Sequence, residues 1–549
     1  MVGAVRALWP WAALLWLVGW CCWPLLTGGD RIFIGQISTD AAVTLWFYDL
    51  IARSPELPHT LSDFDWPDAW PRGKEFPSAV DAAMVAPIGR LVDWPARWGW
   101  IQTVVVGVNA LGGAILARSV GCRGASIVVA GGIAMLSRQL WFDLVAARMN
   151  AVWPGLAAAA LGLWLMSLDR CIPRTRRVLV VALGAWMGAL AGAVYPPYLV
   201  MMAPAGLILG VSLLVQGRRW SSLLWAVAPL GIALLWIGGD LMEMTTLRTS
   251  RQLYTTKCPD SVHALDVAWL ARSDADGGLS LPGLSLASWV LVPLALLHPM
   301  RKSAVLLLGV AAVFLSLSLG PCPSWNGVPW MEWNTLHLDD FWGPMGRLTD
   351  YGRLASGAAV LLALLSALGV EALRRFWPPL SVLVAAGSLV YGGELLMSEI
   401  RQPDKWHQFT VPLTAKFLSD AARGTAVELP FDRSQQFLSV IAAPDRPRVN
   451  PLQAGPRVQS NPFVFWLLQL GRGQLSEGNF DDDDINNSGV RWVLLEPSRC
   501  QQGSVPNTAC GPEVMALLEK TFGEPEAVEG ARLLVWELKG LQEPSAPDE

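Results

Sequence analysis

The sequence LASGAAVLLALLSALGVEALRRFWPPLSVLVAAGSLVYGGELLM, residues 354–397, decides the fold of this chain. It contains two apolar stretches, 354–373 and 376–397, and each has the roughly 20 residues that a helix needs to cross a bilayer. The connection between them is short and carries Arg374 and Arg375. Two apolar stretches joined by a short basic connection indicate a polytopic α-helical membrane protein.

Nine further stretches bring the predicted number of transmembrane helices to about eleven. They are 5–26, 98–117, 124–142, 150–168, 178–194, 197–216, 221–239, 284–299 and 303–320. The whole chain of 549 residues is 53% hydrophobic and only 16% charged, which is the composition of a membrane protein.

Basic residues occupy every second connection between these stretches. They are Arg118 and Arg123; Arg170, Arg174, Arg176 and Arg177; Arg218 and Arg219; Arg301 and Lys302; and Arg374 and Arg375. Because cytoplasmic connections are enriched in Arg and Lys, this alternation predicts a cytoplasmic N-terminus and an extracytoplasmic C-terminal region. The long polar segments then all lie outside: 27–97, 240–283, 321–353 and 398–549.

The change in composition at 397 predicts two domains. Residues 1–397 form a transmembrane domain with a long first outer loop, 27–97, and residues 398–549 form a soluble α/β domain. Within this tail, periodicity favours helices at 411–422, 461–471 and 512–521, and apolar runs favour strands at 425–431, 490–497 and 532–538. The tail carries 21 acidic and 14 basic residues, and this net charge of −7 argues against a nucleic acid partner.

Four of the eight cysteines lie in predicted outer segments, where disulfides persist. Cys500 and Cys510 bracket a short polar loop, and we expect them to form a disulfide. Cys258 and Cys322 form a second predicted pair, which would join two outer loops.

The spans contain few ionisable residues, and polarity in their middle is limited to residues such as Asn109. This scarcity argues against an ion-driven transporter. No phosphate-binding glycine loop is present in the sequence, so a nucleotide-driven pump is also disfavoured. Any chemistry must come from carboxylates and cations of the outer segments.

Asp40 is the candidate catalytic carboxylate. It lies about fourteen residues beyond the first span and opens the sequence TDAAVTLWFYDLIAR, which has the apolar spacing of a surface helix. A carboxylate at the membrane boundary, beside aromatic residues such as Trp46, is well placed for general-base work. The alternative is that Thr39 or Asp40 only caps this helix, and one residue can do both.

Basic residues of the outer segments are candidates to bind a phosphate group, since a guanidinium donates paired hydrogen bonds to phosphate oxygens. They are Arg72, Lys74, Arg148, Arg347 and Arg353. Pairing with lipid headgroups is the alternative for each of them. Asp63 and Asp65 form a D-x-D pair that could hold a divalent cation, with a solvated loop as the alternative.

Several segments carry a resemblance to a known class of protein. They are TD at 39–40, WPRGK at 70–74, AARMNAVWPGLAAAALGLWL at 146–165, AGAVYPPYLV at 191–200, GPMGRLTDYGRLASGAAVLLALLSALGVEAL at 343–373, VELPF at 427–431 and GVRWVLLEP at 489–497. Together they resemble bacterial membrane glycosyltransferases of the GT-C class, including the branch with a C-terminal extracytoplasmic domain. In that class a first-loop Asp or Glu is the catalytic base or a metal ligand, and the donor is a sugar on a polyprenyl phosphate.

The resemblance implies an enzyme of the bacterial inner membrane. It would transfer a sugar, with inversion, from a polyprenyl-phosphate donor to a glycan, lipid or protein acceptor outside the cytoplasm. Asp40 matches the base, although Ala41 stands where several branches have a second acid. The cofactor stays open, with a divalent cation as the candidate. The alternative function is a non-catalytic envelope assembly factor or a lipid or glycan transporter.

Overall fold

The computed structural model describes most of the chain, in separate segments. They are residues 2–35, 39–53, 60–61, 70–71, 80–169, 172–195, 197–215, 286–319, 324–325, 328–329, 353–409, 411–422, 424–431, 439, 441–442, 461–476, 478–498, 511–528, 530 and 532–538. The chain divides into two compact units. The first contains Met1–Gln36 and Asp93–His407, and the second contains Ile37–Val92 and Gln408–Glu549. The boundary predicted at 397 falls ten residues before the end of the first unit.

The described helices are, in chain order, α1 (Val2–Thr27), α2 (Thr39–Arg53), α3 (Val80–Leu91), α4 (Ala96–Ser119), α5 (Ala125–Met135), α6 (Arg138–Val145), α7 (Pro154–Ser167), α8 (Arg174–Val194), α9 (Pro197–Val215), α10 (Leu286–Leu294), α11 (Arg301–Ser318), α12 (Leu354–Phe376), α13 (Pro378–Ile400), α14 (Leu413–Asp420), α15 (Pro462–Gly471), α16 (Asp482–Asn487) and α17 (Pro512–Phe522). The described strands are β1 (Arg31–Phe33), β2 (Thr60–Leu61), β3 (Trp70–Pro71), β4 (Ser324–Trp325), β5 (Val328–Pro329), β6 (Trp406–Gln408), β7 (Thr425–Leu429), β8 (Val490–Leu495), β9 (Glu526–Val528) and β10 (Leu533–Glu537).

Nine segments of the described chain are long and apolar enough to cross a membrane, and they match nine of the predicted stretches. They are Leu8–Thr27, Ala96–Ser119, Ala125–Val145, Met149–Ser167, Arg174–Val194, Pro197–Val215, Arg301–Ser318, Leu354–Phe376 and Pro378–Ile400. Of the other two stretches, 221–239 lies outside the described residues, and 284–299 contains α10 and the 3-10 turn Ala295–Leu297. The chain is therefore a polytopic α-helical membrane protein.

Glycines bring α4 and α7 into backbone contact. A Cβ atom added to Gly112 would overlap the backbone oxygen of Gly155, and one added to Gly155 would overlap the Cα of Asn109. Small residues at such positions let membrane helices approach closely, which is how these helices gain their packing energy. The contact fixes the first turn of α7 against the middle of α4.

Asn109 completes this contact with hydrogen bonds. Its Nδ2 donates to the carbonyls of Val105 at 2.9 Å and Val152 at 2.7 Å, and its Oδ1 accepts the backbone N–H of Gly155 at 2.8 Å. The first N–H groups of a helix have no partner within that helix, and inside a membrane each must find one elsewhere. The mid-span polar residue seen in the sequence thus stabilises the start of α7.

The tail contains the α/β fold that the sequence predicts. Its four-stranded sheet has the order β7–β8–β10–β9, with β7 and β8 parallel and the other pairs antiparallel. The helices α15 and α17 cover one face through residues such as Phe463 and Leu518, and α14 covers the other through Leu418. All three predicted helices and all three predicted strands are confirmed, and β9 is an additional strand.

The glycine contact generates a stability prediction. We expect Gly112→Ala to lower the free energy of unfolding by about 1–3 kcal/mol, because a new methyl group would press on the α7 backbone. Gly309→Ala is the matched control, since no described atom lies within 4 Å of the methyl group it would add. Thermal unfolding in detergent compares the two variants. Equal midpoints for Gly112→Ala and Gly309→Ala would contradict the assigned contact.

Candidate functional site

Two of the predicted phosphate-binding residues, Arg148 and Arg353, are described in the first unit, and Asp40 belongs to the second. Arg72, Lys74, Arg347, Asp63 and Asp65 lie outside the described residues, as do the four cysteines of the predicted disulfides. Their roles stay predictions. Arg148 and Arg353 therefore define the candidate site of the first unit, and Asp40 defines that of the second.

Arg353 lies on an aromatic platform just before α12. Its guanidinium carbon is 5.4 Å from the ring centroid of Tyr195, and the Tyr195 and Tyr198 rings meet edge to face at 4.9 Å. The packing of α9 against α12 sets this arrangement, because Met201 closely contacts the Gly357 position one turn into α12. A cation held over an aromatic ring is stabilised by about 0.5–2 kcal/mol.

Tyr198 connects this platform to the loop that follows Arg148. Its hydroxyl accepts the backbone N–H of Trp153 at 3.3 Å and lies 3.5 Å from the carbonyl oxygen of Asn150, to which it can donate. Tyr198 is buried, whereas Arg148, Tyr195 and Arg353 are only half-buried. We call these four residues, Arg148, Tyr195, Tyr198 and Arg353, the arginine–tyrosine cluster.

The backbone around Arg148 is held by turns on both sides. The Arg148 N–H donates to the carbonyl of Asp143 at 2.8 Å, and the Arg148 carbonyl accepts the N–H of Ala151 at 2.9 Å. Ala147 has φ of 52°, a left-handed conformation that is uncommon for residues other than glycine. The guanidinium carbon of Arg148 lies 5.6 Å from the ring centroid of Phe142. The position of this arginine is thus fixed by its local fold.

Buried polar residues lie next to this loop, at the end of the span Ala125–Val145. The Gln139 amide nitrogen donates to Asp143 Oδ2 at 2.8 Å, and Arg138, Gln139 and Asp143 are all buried. Ionisable residues within a membrane segment are costly and usually serve function. Tyr198 lies within electrostatic range of both Asp143 and Arg353, so this acid belongs to the same neighbourhood.

Sequence reasoning identified Arg148 and Arg353 but missed Asp143, Tyr195 and Tyr198. The signals were available: an acid at the end of a predicted span, and YPPY in a connection of only a few residues. Neither pattern says by itself which distant residue it will contact.

Residues 33–35, near the start of the first outer loop, are held by three other parts of the first unit. The backbone N–H of Ile34 donates to the Lys405 carbonyl at 2.9 Å, and that of Gly35 donates to the Val145 carbonyl at 3.1 Å. The Gln102 side chain donates to the Phe33 carbonyl at 2.9 Å. Gly35 precedes Asp40 by five residues in the chain, and Val145 precedes Arg148 by three.

In the second unit, Asp40 is the second residue of α2, and its side chain lies outside the described part of the structure. Acids in the first turn of a helix interact favourably with the helix dipole. Ala41, which follows Asp40, is fully buried. The helix that the sequence predicts at Asp40 is confirmed as α2, and α2 packs against α3.

One buried hydrogen bond joins α2 to α3. The Tyr48 hydroxyl donates to Asp81 Oδ2 at 2.8 Å, and both side chains are less than 5% exposed. Burial raises the pKa of Tyr48 well above its ordinary value, and the charge of Asp81 raises it further. At the end of α2, Asp49 pairs with Arg53 at 2.6 Å.

Among the described residues, no three His, Cys, Asp or Glu side chains lie close enough together to hold a metal ion. The predicted cation ligands, Asp63 and Asp65, are not part of that set. The cation therefore stays a prediction on those two residues.

Comparisons with known proteins identify the fold. No protein-family model matches the sequence, and a search of curated proteins finds no match. The arabinofuranosyltransferase AftD from Mycobacteria is similar in structure, with a TM-score of 0.57 and 14% identity over 96% of this chain and 40% of that one. A mutant form of AftD has a TM-score of 0.51 and 16% identity over 89% of this chain and 36% of that one.

ArnT from Cupriavidus metallidurans, in the apo state, has a TM-score of 0.48 and 12% identity, with 98% of both chains covered. The likeness to AftD shows that this chain has the fold of GT-C membrane glycosyltransferases, with a C-terminal α/β region. The chain spans about 40% of the length of the AftD chain that it matches.

The buried Tyr48–Asp81 contact generates a prediction for the helix that carries Asp40. We expect Tyr48→Phe to lower the free energy of unfolding by about 1–3 kcal/mol at neutral pH, because Asp81 loses a buried donor. The raised pKa of Tyr48 means that the unfolded chain loses this proton first, above about pH 10. Above that pH the free energy of unfolding should therefore fall more steeply for the wild type than for Tyr48→Phe. The difference in stability between the two proteins should narrow. Thermal unfolding in detergent at pH 7 and above pH 10 measures both effects. A stability difference that stays constant or widens above pH 10 would contradict the Tyr48–Asp81 hydrogen bond.

Proposed function

We propose that this protein is a membrane glycosyltransferase that moves a sugar from a polyprenyl-phosphate donor to an extracytoplasmic acceptor. The fold supports the general class, and the arginine–tyrosine cluster is the observation that carries the proposal. It provides two half-buried guanidinium groups in connections that the sequence predicts to lie on one side of the membrane. The protein would reside in the bacterial inner membrane, with its N-terminus in the cytoplasm and its tail outside.

The two arginines suit the leaving group of such a reaction. As the bond between the sugar and the phosphate breaks, negative charge accumulates on the lipid phosphate. Guanidinium groups that are already fixed in place stabilise this charge without further reorganisation. Arg353 is fixed by the Tyr195 ring and Arg148 by its two turns. Arg72, Lys74 and Arg347 are further proposed donors to the phosphate.

Asp40 is the proposed base. It accepts the proton of the acceptor hydroxyl, whose oxygen forms a bond to the anomeric carbon as the bond from that carbon to the phosphate oxygen breaks. Attack from the side opposite the phosphate inverts the anomeric centre. The products are the glycosylated acceptor, the polyprenyl phosphate and a protonated Asp40. Earlier in the same loop, the segment Phe33–Gly35 is anchored within the first unit by the Val145 carbonyl and the Gln102 side chain.

The tail of the second unit is proposed to hold or select the acceptor, a glycan, lipid or protein. Its independent core, built on both faces of a four-stranded sheet, supports a separate binding role. Disulfides Cys500–Cys510 and Cys258–Cys322 are proposed for the outer segments. A divalent cation at Asp63 and Asp65 is proposed as the cofactor.

Asp40→Asn tests the proposed chemistry. The variant keeps the size and most of the helix-start preference of Asp40 but cannot accept the proton, so the transfer rate should fall by roughly 10²–10⁴. The assay is release of polyprenyl phosphate by the purified full chain from a panel of polyprenyl-phosphate sugars, with glycan, lipid and peptide acceptors supplied. Asp30→Asn, in the same loop, is the control and should retain activity.

Two outcomes would contradict the proposal. Full activity of Asp40→Asn would limit Asp40 to a structural role at the start of α2. A wild-type chain that releases nothing from any donor, together with unchanged surface glycans and glycolipids in a deletion strain, would favour an assembly factor or transporter.

The aromatic platform generates a second prediction. Tyr195→Leu removes the ring beneath Arg353, whereas Tyr195→Phe keeps it. We expect Tyr195→Leu to raise the KM for the lipid-phosphate donor about 2–30-fold, the range of a cation–π contact, with a smaller change in kcat. Tyr195→Phe should remain close to wild type. If both variants raise KM equally, the ring does not position Arg353.

A further inference from the structure

A second charged cluster lies at the other end of α12. Glu371 is buried there, and its carboxylate accepts hydrogen bonds from the Ser126 hydroxyl at 3.1 Å and the Arg123 backbone N–H at 3.3 Å. Arg374, one turn further on, donates from Nε to the same carboxylate at 3.1 Å. The carboxylate thus joins the α4–α5 connection to the end of α12.

Four arginines belong to the two chain segments that meet at this carboxylate. The buried thiol of Cys122 lies within electrostatic range of Arg118, Arg374 and Arg375 as well as Glu371, and Arg123 is the next residue in the chain. Four positive charges against one negative charge give the group a net charge of +3. We call Arg118, Arg123, Arg374 and Arg375 the arginine patch.

A third connection reaches the same place. His298, which precedes α11, lies within electrostatic range of both Glu371 and Arg375. All three connections belong to the set that the sequence assigns to one side of the membrane. The patch is therefore built from distant parts of the chain, since Arg123 and Glu371 are 248 residues apart in sequence. It is a feature of the folded protein rather than of one basic run.

The patch is open to its surroundings. Arg118, Arg123 and Arg375 are exposed, and 41% of the Arg374 side chain is accessible. Directly after Arg375, Phe376 and Trp377 are 65% and 64% exposed. Large aromatic side chains at the end of a membrane span lie at the level of the lipid headgroups.

We propose that the arginine patch binds the headgroup of an anionic phospholipid. Guanidinium groups donate paired hydrogen bonds to phosphate oxygens, and the patch has an excess of them. Glu371 pairs with Arg374 and holds it in place. This single carboxylate does not neutralise the charge of the other three arginines. Phe376 and Trp377 place the patch at the depth where a phospholipid presents its phosphate. This location favours a lipid headgroup, because a soluble anion could bind at any depth open to water.

The test uses the full chain in detergent and native mass spectrometry. Phosphatidylglycerol and phosphatidylcholine are titrated separately. The wild type should bind phosphatidylglycerol more tightly than phosphatidylcholine. The patch variant carries three Arg→Gln substitutions, at Arg118, Arg123 and Arg375, and keeps Arg374 because of its structural pairing. Its affinity for phosphatidylglycerol should fall about 100-fold, since each arginine near an anionic lipid contributes about fivefold.

The matched control removes the same charge from other exposed positions: Arg174→Gln, Arg176→Gln and Arg401→Gln. It should bind phosphatidylglycerol as the wild type does. Equal losses in the two triple variants would overturn the proposal in favour of a net-charge effect. Displacement of the lipid by equimolar inorganic phosphate would overturn it in favour of a simple anion site. The three single variants of the patch provide the same comparison if the triple variant does not fold.

Discussion

The hydrogen bonds of Asn109 and the glycine contact beside it are the constraint on which the rest of the first unit depends. In lipid, the unpaired N–H groups at the start of α7 have no water to bind, so a fixed partner must reach them. Asn109 meets that need from the neighbouring helix α4, and Gly112 and Gly155 allow the approach. The loop that enters α7 is therefore held, and Tyr198 can bind it through Trp153.

The sequence predicts most of the fold because its signals are local. Apolar length, basic connections and strand or helix periodicity are each properties of a short window, and they locate nine described spans and the elements of the tail. The arginine–tyrosine cluster joins residues more than 150 positions apart, and no window contains it. Arg148 stands out because an arginine is unexpected in a short outer loop, whereas Tyr198 carries no comparable signal until α9 and α12 are packed together.

The helix dipole of α12 has opposite effects on the arginines at its two ends. At the start of a helix a cation faces the positive end of the dipole, so Arg353 is disfavoured there by the helix itself. The ring of Tyr195 offsets part of this cost through a cation–π contact. At the end of the helix the dipole favours Arg374, and Glu371 occupies its donors. The two arginines of this helix are thus held by different interactions.

The way the chain passes between the two units limits which truncations give a self-contained protein. The second unit is assembled from two separate pieces of chain, Ile37–Val92 and Gln408–Glu549, so three peptide segments pass between the units. A truncation that ends at His407 removes one piece but leaves the other attached at both ends. The C-terminal region expressed alone would in turn lack α2 and α3. A self-contained version of the first unit therefore requires a redesigned connection in place of residues 37–92, whereas the tail keeps the core on both faces of its sheet without them.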